Sequence, residues 1–453
     1  MSTPTRRTFL GLAGGVVAAA SIWAVPADSQ DRSAVIVIEN VRIFDGMHPS
    51  LSAPSNVIIR GNIIERISTG PIPTDRRADT QIIAGGGRVL MPGLSDAHWH
   101  AMMVRPTPAQ LLSSGLGYST LLAGAEATAT LMRGFTAVRD MGGPAFDLKR
   151  AIDEGVLPGP RIFPSGAVIT ISGGHGDFRE INDLPRATGG TLSRVEELGA
   201  SAIADSPDEV RKRAREQLMQ GASQIKLTAG GGVASPFSPL EVVTFTEAEL
   251  RAAVEAATDW GTYVATHAYT PAAIQRSIAT GVKVIEHGHL MDEATARLMA
   301  DKGIWLSTQL LDISLAKALP VALQQQMMQV VSGTDPIYGY VKKYKIKTAF
   351  GTDIAFSPAL AARQGQGIVD LKRWFTPAEA LAMATSANGE LLALSGLRNP
   401  YPGKLGVVEQ GALADLLVVD GNPLENLDLV ADPVAKFLVI MKDGRIYKNT
   451  IPK

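Results

Sequence analysis

The sequence predicts an α/β protein: a (β/α)8 TIM barrel over residues 93–399, with a small β-sandwich built from both chain termini, residues 31–92 and 400–453. Between Gly93 and about Leu397, eight short apolar strands alternate with amphipathic helical stretches, the rhythm of βα units wound into a barrel. At both ends the rhythm changes to β-branched alternation broken by turn residues. The alternative is a doubly wound open sheet, but neither GxGxxG nor GxxxxGKS/T occurs to support nucleotide binding there.

Residues 1–30 stand apart. Arg6 and Arg7 precede Phe9 and Leu10, then comes a short apolar stretch rich in Gly and Ala, then Val25-Pro26-Ala27. This is the pattern of a twin-arginine export signal cleaved near Ala27, and it predicts a periplasmic or secreted protein. The stretch is short for a membrane anchor, so no stable insertion is expected once the signal is removed. AVIVIENVRIFDG, NVIIRGNIIERIS and TQIIAGGGRVLMPG then read as strands, as do GVVEQGALADLLVVDGNP and KFLVIMKDGRIYKN near the end, with Asp443-Gly444 as a hairpin turn. The expected barrel strands are 93–100, 134–142, 161–169, 222–230, 262–268, 283–288, 304–310 and 347–353. Helical patterns at 206–220, 246–260, 270–280, 292–302 and 376–394 follow most of them, several opening on Ser or Thr with Pro or an acid in the first turn. The GGGV stretch at 230–233 lacks the lysine and the helix of a phosphate loop and reads as a turn.

Composition narrows the chemistry. With 45% hydrophobic and 19% charged residues the chain has ample core, and its net charge of −1 gives no electrostatic reason to bind nucleic acid or an anionic membrane. That balance is compatible with a homo-oligomer. The absence of cysteine excludes disulfides, thiolate metal sites and a cysteine nucleophile. Any metal must be held mainly by histidine and carboxylate.

Those residues sit in a pattern. There are seven histidines in 453 residues, and His98 and His100 lie two apart at the end of the first barrel strand, so both face the same way. Lys226, His267, His287 and Asp353 stand at or near the ends of four further strands. In a barrel these ends converge on one mouth. Taken singly, a strand-end histidine can be a hydrogen-bonded core residue, and Asp353 in GTD could cap a loop; the joint pattern points to a metal site. His48, in the terminal β region, belongs to no such pattern and reads as structural or surface. Lys226 is the odd member, because an ammonium has donors only. Burial and nearby cations lower its pKa toward the neutral amine, which can react with carbon dioxide to give an anionic, metal-bridging carbamate. A buried lysine paired with a carboxylate is the other reading, and the residues alone leave both open.

With SGGHGD at 172–177, QIKLTAGGGV, ATHAY, IEHGH, GTD and ALADLLVVDGNPLEN following GLSDAHWH in that order, the chain resembles the amidohydrolase superfamily over about residues 33–450. Within it the resemblance is to the imidazolonepropionase-like branch, with its prolidase-type Xaa-amino-acid dipeptidases and ochratoxin-hydrolysing amidohydrolases. The resemblance implies two divalent metal ions, usually zinc: His98, His100 and Asp353 on the buried one, His267 and His287 on the exposed one, and carbamylated Lys226 between them. It implies hydrolysis by a metal-bridging hydroxide, with Asp353 passing the proton to the leaving amine. His175 would polarise the carbonyl or hold a carboxylate, unless it is a loop histidine bonded to backbone. Tyr269 is similar to a position that contacts the substrate's terminal carboxylate in dipeptidase relatives, unless it only packs the mouth. His289 shares a face with His287 and would support it. The expected substrate is a small amide or dipeptide whose leaving group is an amino acid with a free carboxylate, including N-acyl and N-aroyl amino acids such as ochratoxin. A cyclic amide or lactone hydrolase would use the same centre. A mononuclear heterocycle deaminase would carry a glutamate soon after His267, where this chain has AYTPAA. A non-catalytic metal-binding protein would not need Asp353 as a shuttle. The chain departs from the family pattern at Gln364-Gly365, where members often show His-Gly, and in an extended segment at 178–205 that reads as a lid or an oligomer contact.

Overall fold

The computed structural model describes residues 35–73, 80–183, 191–233, 235, 237–311 and 321–451. The export-signal segment lies outside them. In chain order the strands are β1 (Val35–Ile43), β2 (Ser55–Arg60), β3 (Ile63–Ser68), β4 (Thr80–Ala84), β5 (Val89–Pro92), β6 (Leu94–Trp99), β7 (Phe135–Asp140), β8 (Arg161–Pro164) and β9 (Val168–Thr170). They continue as β10 (Ser201–Ile203), β11 (Ile225–Thr228), β12 (Val264–Ala268), β13 (Val284–His287), β14 (Trp305–Thr308), β15 (Thr348–Phe350), β16 (Leu416–Val419), β17 (Phe437–Lys442) and β18 (Arg445–Asn449).

The central strands are parallel, as α/β alternation requires. They form two sheets, β6-β7-β8 and β10-β9-β11-β12-β13-β14-β15. Each expected barrel strand is present except that 161–169 is two. Gly166 sits at φ +74° between β8 and β9, its carbonyl accepts from Gly143 N, and the next amide, Ala167 N, donates to the Gln217 side chain at 2.9 Å. The chain therefore turns out of the first sheet and re-enters the second. The two outermost strands also meet: Trp99 bridges Ile354 in parallel, Asp353 N donates to His98 O at 2.7 Å, and Asn388 Nδ2 donates to both Ser95 O and Phe350 O at 2.9 Å.

The helices end where their caps place them. Thr246 and Glu249 form a reciprocal capping box at the start of helix Glu247–Asp259, and Gly221, at φ +111°, ends helix Pro207–Gln220. The stretch expected as one helix at 376–394 is instead helix Pro377–Ala382, a π turn at Met383–Ala387 and helix Asn388–Ala393. Asn388, at the start of the last piece, is the residue that reaches the β6 and β15 carbonyls. The 178–205 segment supplies β10, which pairs with β9, and it anchors through Arg194 to the carbonyls of Leu112 and Ser114; residues 184–190 lie outside the described set. No helix of the described residues is long and apolar enough to cross a membrane.

Both termini build one mixed sheet, ordered β18-β17-β16-β5-β1-β2-β3 with β4 on β1. Side-chain alternation along β16 feeds two cores: Leu416 and Val418 pack with Ile38, Val57 and Leu90, while Leu417 and Val419 join the core of the central sheets and helices. The Asp443-Gly444 turn is a two-residue hairpin with both residues left-handed, at φ +55° and +70°. This sheet is fastened to the first residue of β8. Arg161 makes a bidentate pair with Asp415 at 3.0 and 3.1 Å and a further bond to Asp443 at 2.6 Å. Truncating it strands the buried Asp415 carboxylate, so Arg161→Ala should cost about 3 kcal/mol or more. The check is the midpoint of denaturant unfolding, which should fall while an Asp443→Asn change at the exposed end of the network costs less.

Candidate metal centre

The end of β6 sets the site. Asp96, His98 and His100 alternate onto one face, and Asp353 arrives beside them immediately after β15. Gly351 permits that approach, since a Cβ there would lie 2.7 Å from the His98 backbone nitrogen. Asp353 Oδ1 stands 3.0 Å from His100 Nε2 and 3.3 Å from His98 Nε2, and one donor atom from each of the three residues lies within 4.8 Å of the others. His267, from β12, and His287, from β13, close the group: their ring centroids are 4.4 Å apart, and His287 is 5.0 Å from His98. Asp353 and His287 both hold left-handed backbone, at φ +54° and +75°. For residues with a Cβ that is strain, of the kind found at functional sites.

Each of the four histidines has one ring nitrogen engaged by an oxygen acceptor. His98 Nδ1 donates to Glu286 Oε2 at 2.8 Å, His100 Nδ1 to Gly142 O at 3.3 Å, His267 Nε2 to Gly231 O at 2.8 Å, and His287 Nδ1 to Gln309 Oε1 at 2.6 Å. For His98, His267 and His287 an N–H fixed on one side leaves a lone pair on the other, which is the state a metal ligand needs; His100 Nε2 is bonded to Asp353 Oδ1 at 3.0 Å. Burial agrees with this. It lowers the pKa of His98 to about 4 and those of His267 and His287 well below the ordinary value, so all three rings are neutral at neutral pH. Burial would push His100 the same way, but the bonded Asp353 carboxylate outweighs it and raises that ring. Burial alone would raise Asp353 too; His98 and His100 override it and hold the carboxyl well below the usual carboxylate range.

Lys226 on β11 is buried, and among the described residues no carboxylate comes within ion-pair distance of its amine. The paired-lysine reading is thus without its partner. Burial lowers its pKa to about 8 despite the more distant charges of Glu286 and Asp353. The donor set fits divalent metal: four oriented imidazoles, a carboxylate, and an amine whose proton is easily lost.

The remaining candidates gather at the same place. His175 stacks on His267 at 4.3 Å between ring centroids and bonds through Nδ1 to Ser235 Oγ at 3.0 Å, so it is no backbone-bonded loop histidine. Tyr269 stands edge-on to His267 at 4.8 Å and 5.1 Å from His287. His289 donates from Nε2 to Gln309 O at 2.9 Å, and its buried Nδ1 has no partner among the described residues. His48 lies away from them, bonded to Asp45 on the surface. The GGGV stretch does turn, but it is also a wall of the site: Gly231 O holds His267, and a Cβ on Gly232 would fall 2.2 Å from the His175 ring.

Sequence reasoning missed the residues behind the ligands. Glu286 carries His98 and is itself held by Arg139 at 2.6 Å; burial would raise its pKa, and those two partners bring it down to about 2. Asp96 accepts from His98 N, Thr352 N, Thr352 Oγ1 and Gln364 Nε2 at 2.6–3.1 Å. Gln364, at the departure from the family pattern, thus faces Asp96 rather than the mouth, and its Oε1 accepts from Arg133. Gln309 joins His287 to His289.

A sequence model of the amidohydrolase family matches residues 89–450. The chain belongs to this family. An ochratoxinase from Aspergillus niger is 31% identical over 377 residues, covering 80% of this chain and 76% of that one. A crystal structure of an amidohydrolase superposes with a TM-score of 0.85 at 36% identity, over 92% of this chain and 100% of the other. A prolidase in complex with N-methylphosphonate-L-proline gives 0.84 at 32%, with the same coverage. The protein is therefore a hydrolase acting on amide bonds, and amidohydrolases of this family generally use divalent metals. Since Gln309 fixes the His287 ring, Gln309→Leu should weaken metal binding by about 10- to 100-fold. Metal titration of the chelator-stripped protein measures this, and a similar melting temperature of the stripped variant would separate it from unfolding.

Proposed function

We propose that this amidohydrolase is a binuclear enzyme that releases an amino acid with a free carboxylate from a dipeptide or an N-acyl or N-aroyl amino acid, ochratoxin-like compounds included. The observation that carries the binuclear part is Lys226: a buried amine, unpaired among the described residues, on the strand adjacent to that of His267. Converted by carbon dioxide to a carbamate, it would supply an anionic ligand, with His98, His100 and Asp353 holding one ion and His267 and His287 the other. Two divalent ions, zinc by the nitrogen and oxygen character of the donors, would activate water and polarise the scissile carbonyl. Asp353, ionised at neutral pH, takes the proton from the attacking water and returns it to the leaving amine. His175 donates to the carbonyl oxygen. Tyr269 faces the leaving group and offers its hydroxyl, with His289 behind it at 5.9 Å between ring centroids.

The substrate class rests on the relatives, an ochratoxinase and a prolidase among them, and on the wall beside the histidines. Val233, Leu240, Tyr269, Met327 and Val330 pack there as one apolar cluster, suited to a hydrophobic side chain on the released amino acid. In the same proposal the two parallel sheets close into one (β/α)8 barrel at the Trp99–Ile354 bridge, spanning residues 93–399. The terminal sheet is a small sandwich from residues 31–92 and 400–453, and residues 1–30 direct twin-arginine export to the periplasm or beyond.

Metal analysis and amino-acid release from a panel of dipeptides and N-acyl amino acids test this on one sample. The expected result is near two metal ions per chain, activity highest with apolar leaving groups, and loss of both metal and activity in Lys226→Ala. Asp353→Asn should lower kcat by roughly a thousandfold. One metal per chain, with ammonia released from heterocyclic amines and Lys226 dispensable, would sink the proposal.

A further inference from the structure

We propose that Ser235 is a positioning residue that locks His175 with its proton on Nε2, so that the ring presents an N–H donor to the substrate carbonyl. The inference rests on the role given to His175 above and extends it to the group that enforces it. Ser235 lies just beyond the glycine stretch and is 2% exposed. Its Oγ has two neighbours: Gly176 N, which donates to it at 2.9 Å, and His175 Nδ1, at 3.0 Å. A hydroxyl carries one proton and two lone pairs. The amide of Gly176 can only donate, so it occupies a lone pair.

The Ser235 proton then has a single acceptor among the described residues, His175 Nδ1. If Nδ1 carried the ring proton instead, it would donate to the second lone pair and leave the buried hydroxyl proton unsatisfied, a costly arrangement. Hydrogen-bond satisfaction therefore puts the Ser235 proton on the bond to Nδ1 and the ring proton on Nε2.

The surroundings hold this pair in register. Gly176 has left-handed backbone, φ +95°, and its own carbonyl accepts from Ser201 Oγ at 2.7 Å, so the amide that anchors Ser235 is fixed from the strand β10 side. Gly232 lets the imidazole lie against the backbone, where any side chain would collide with Nδ1. The face of the ring is covered by His267 at 4.3 Å. Nε2 is the ring nitrogen left without a partner among the described residues, and the half-buried ring keeps it reachable.

The test is nitrogen-15 histidine NMR on the metal-loaded protein in its zinc form, with the His175 signals assigned by their loss in His175→Gln. Wild type should show the Nε2–H tautomer with Nδ1 accepting a hydrogen bond, and Ser235→Ala should show a mixture containing Nδ1–H. On the reaction, Ser235→Ala should lower kcat about tenfold with little change in KM, the loss of one hydrogen bond's bias. Ser235→Thr, which keeps the hydroxyl, should restore both tautomer and rate. An Nδ1–H ring in wild type, or an unchanged tautomer in a folded Ser235→Ala protein, overturns the proposal. Should His175→Gln leave kcat intact while wild type shows Nε2–H, the carbonyl-donor role fails and the Ser235 assignment stands.

Discussion

The Asp96 carboxylate ties the first central strand to the last. It is fully buried, and burial raises its pKa to about 6 even though four donors face it. Two of those donors are the amide and hydroxyl of Thr352, the residue before Asp353; a third is the amide of His98. One side chain therefore fixes the distance between the His98–His100 pair and Asp353, which come from segments about 250 residues apart in sequence. Gly351 lets the backbones close, and Asn388 spans the carbonyls of the preceding residues, Ser95 and Phe350. Without that seam the strands could still form, but His98, His100 and Asp353 would not share a point.

Around this seam the site depends on dryness. Burial takes the charge off His98, His267 and His287, and neutral rings can be oriented by weak acceptors such as Gly231 O and Gln309. Two carboxylates stay charged and paired: Glu286 with Arg139 and His98, Asp353 with His98 and His100. Lys226 is the buried amine with no such partner among the described residues, which is why its chemistry dominates the functional reading.

Much of this was legible. The strand rhythm located the strands at or near whose ends His98, His100, Lys226, His267, His287 and Asp353 lie, because a two-residue period bounded by turn residues is a strong constraint. Asp96 was legible in principle, sharing the period of His98 and His100 in GLSDAHWH, yet an acid two places before a histidine carries no mark of its partners, which lie at Thr352 and Gln364. Glu286 was hidden for a sharper reason. Strict alternation sends residues 286 and 287 to opposite faces, so choosing His287 as inward excludes its neighbour. The left-handed backbone at His287 breaks the alternation, and both residues reach His98. Ser235 and Gln309 belong to loop and strand-end positions whose function comes only from contacts with His175 and His287. The break at Gly166 was missed because Ser-Gly within an apolar run reads equally as a bulge.

The two ends of the strands carry different burdens, and the placement of charge says why that is stable. At the end where the histidines gather, a strained and dehydrated group of polar side chains costs free energy. At the other end Gly93 N donates to Asp415 O, Arg161 pairs with Asp415 and Asp443, and a Cβ on Gly134 would collide with Phe437, so the terminal sheet is fitted closely against the strand starts. Buried ion pairs give register more than net stability. Here the register they set is that of β8 and of the strands beside it, whose far ends lead into the loops of the site. A change at Arg161 and a change at Glu286 both break buried pairs, yet the first loosens the frame and the second frees the His98 ring. The terminal sheet thus steadies the strand starts without placing a residue among the gathered histidines.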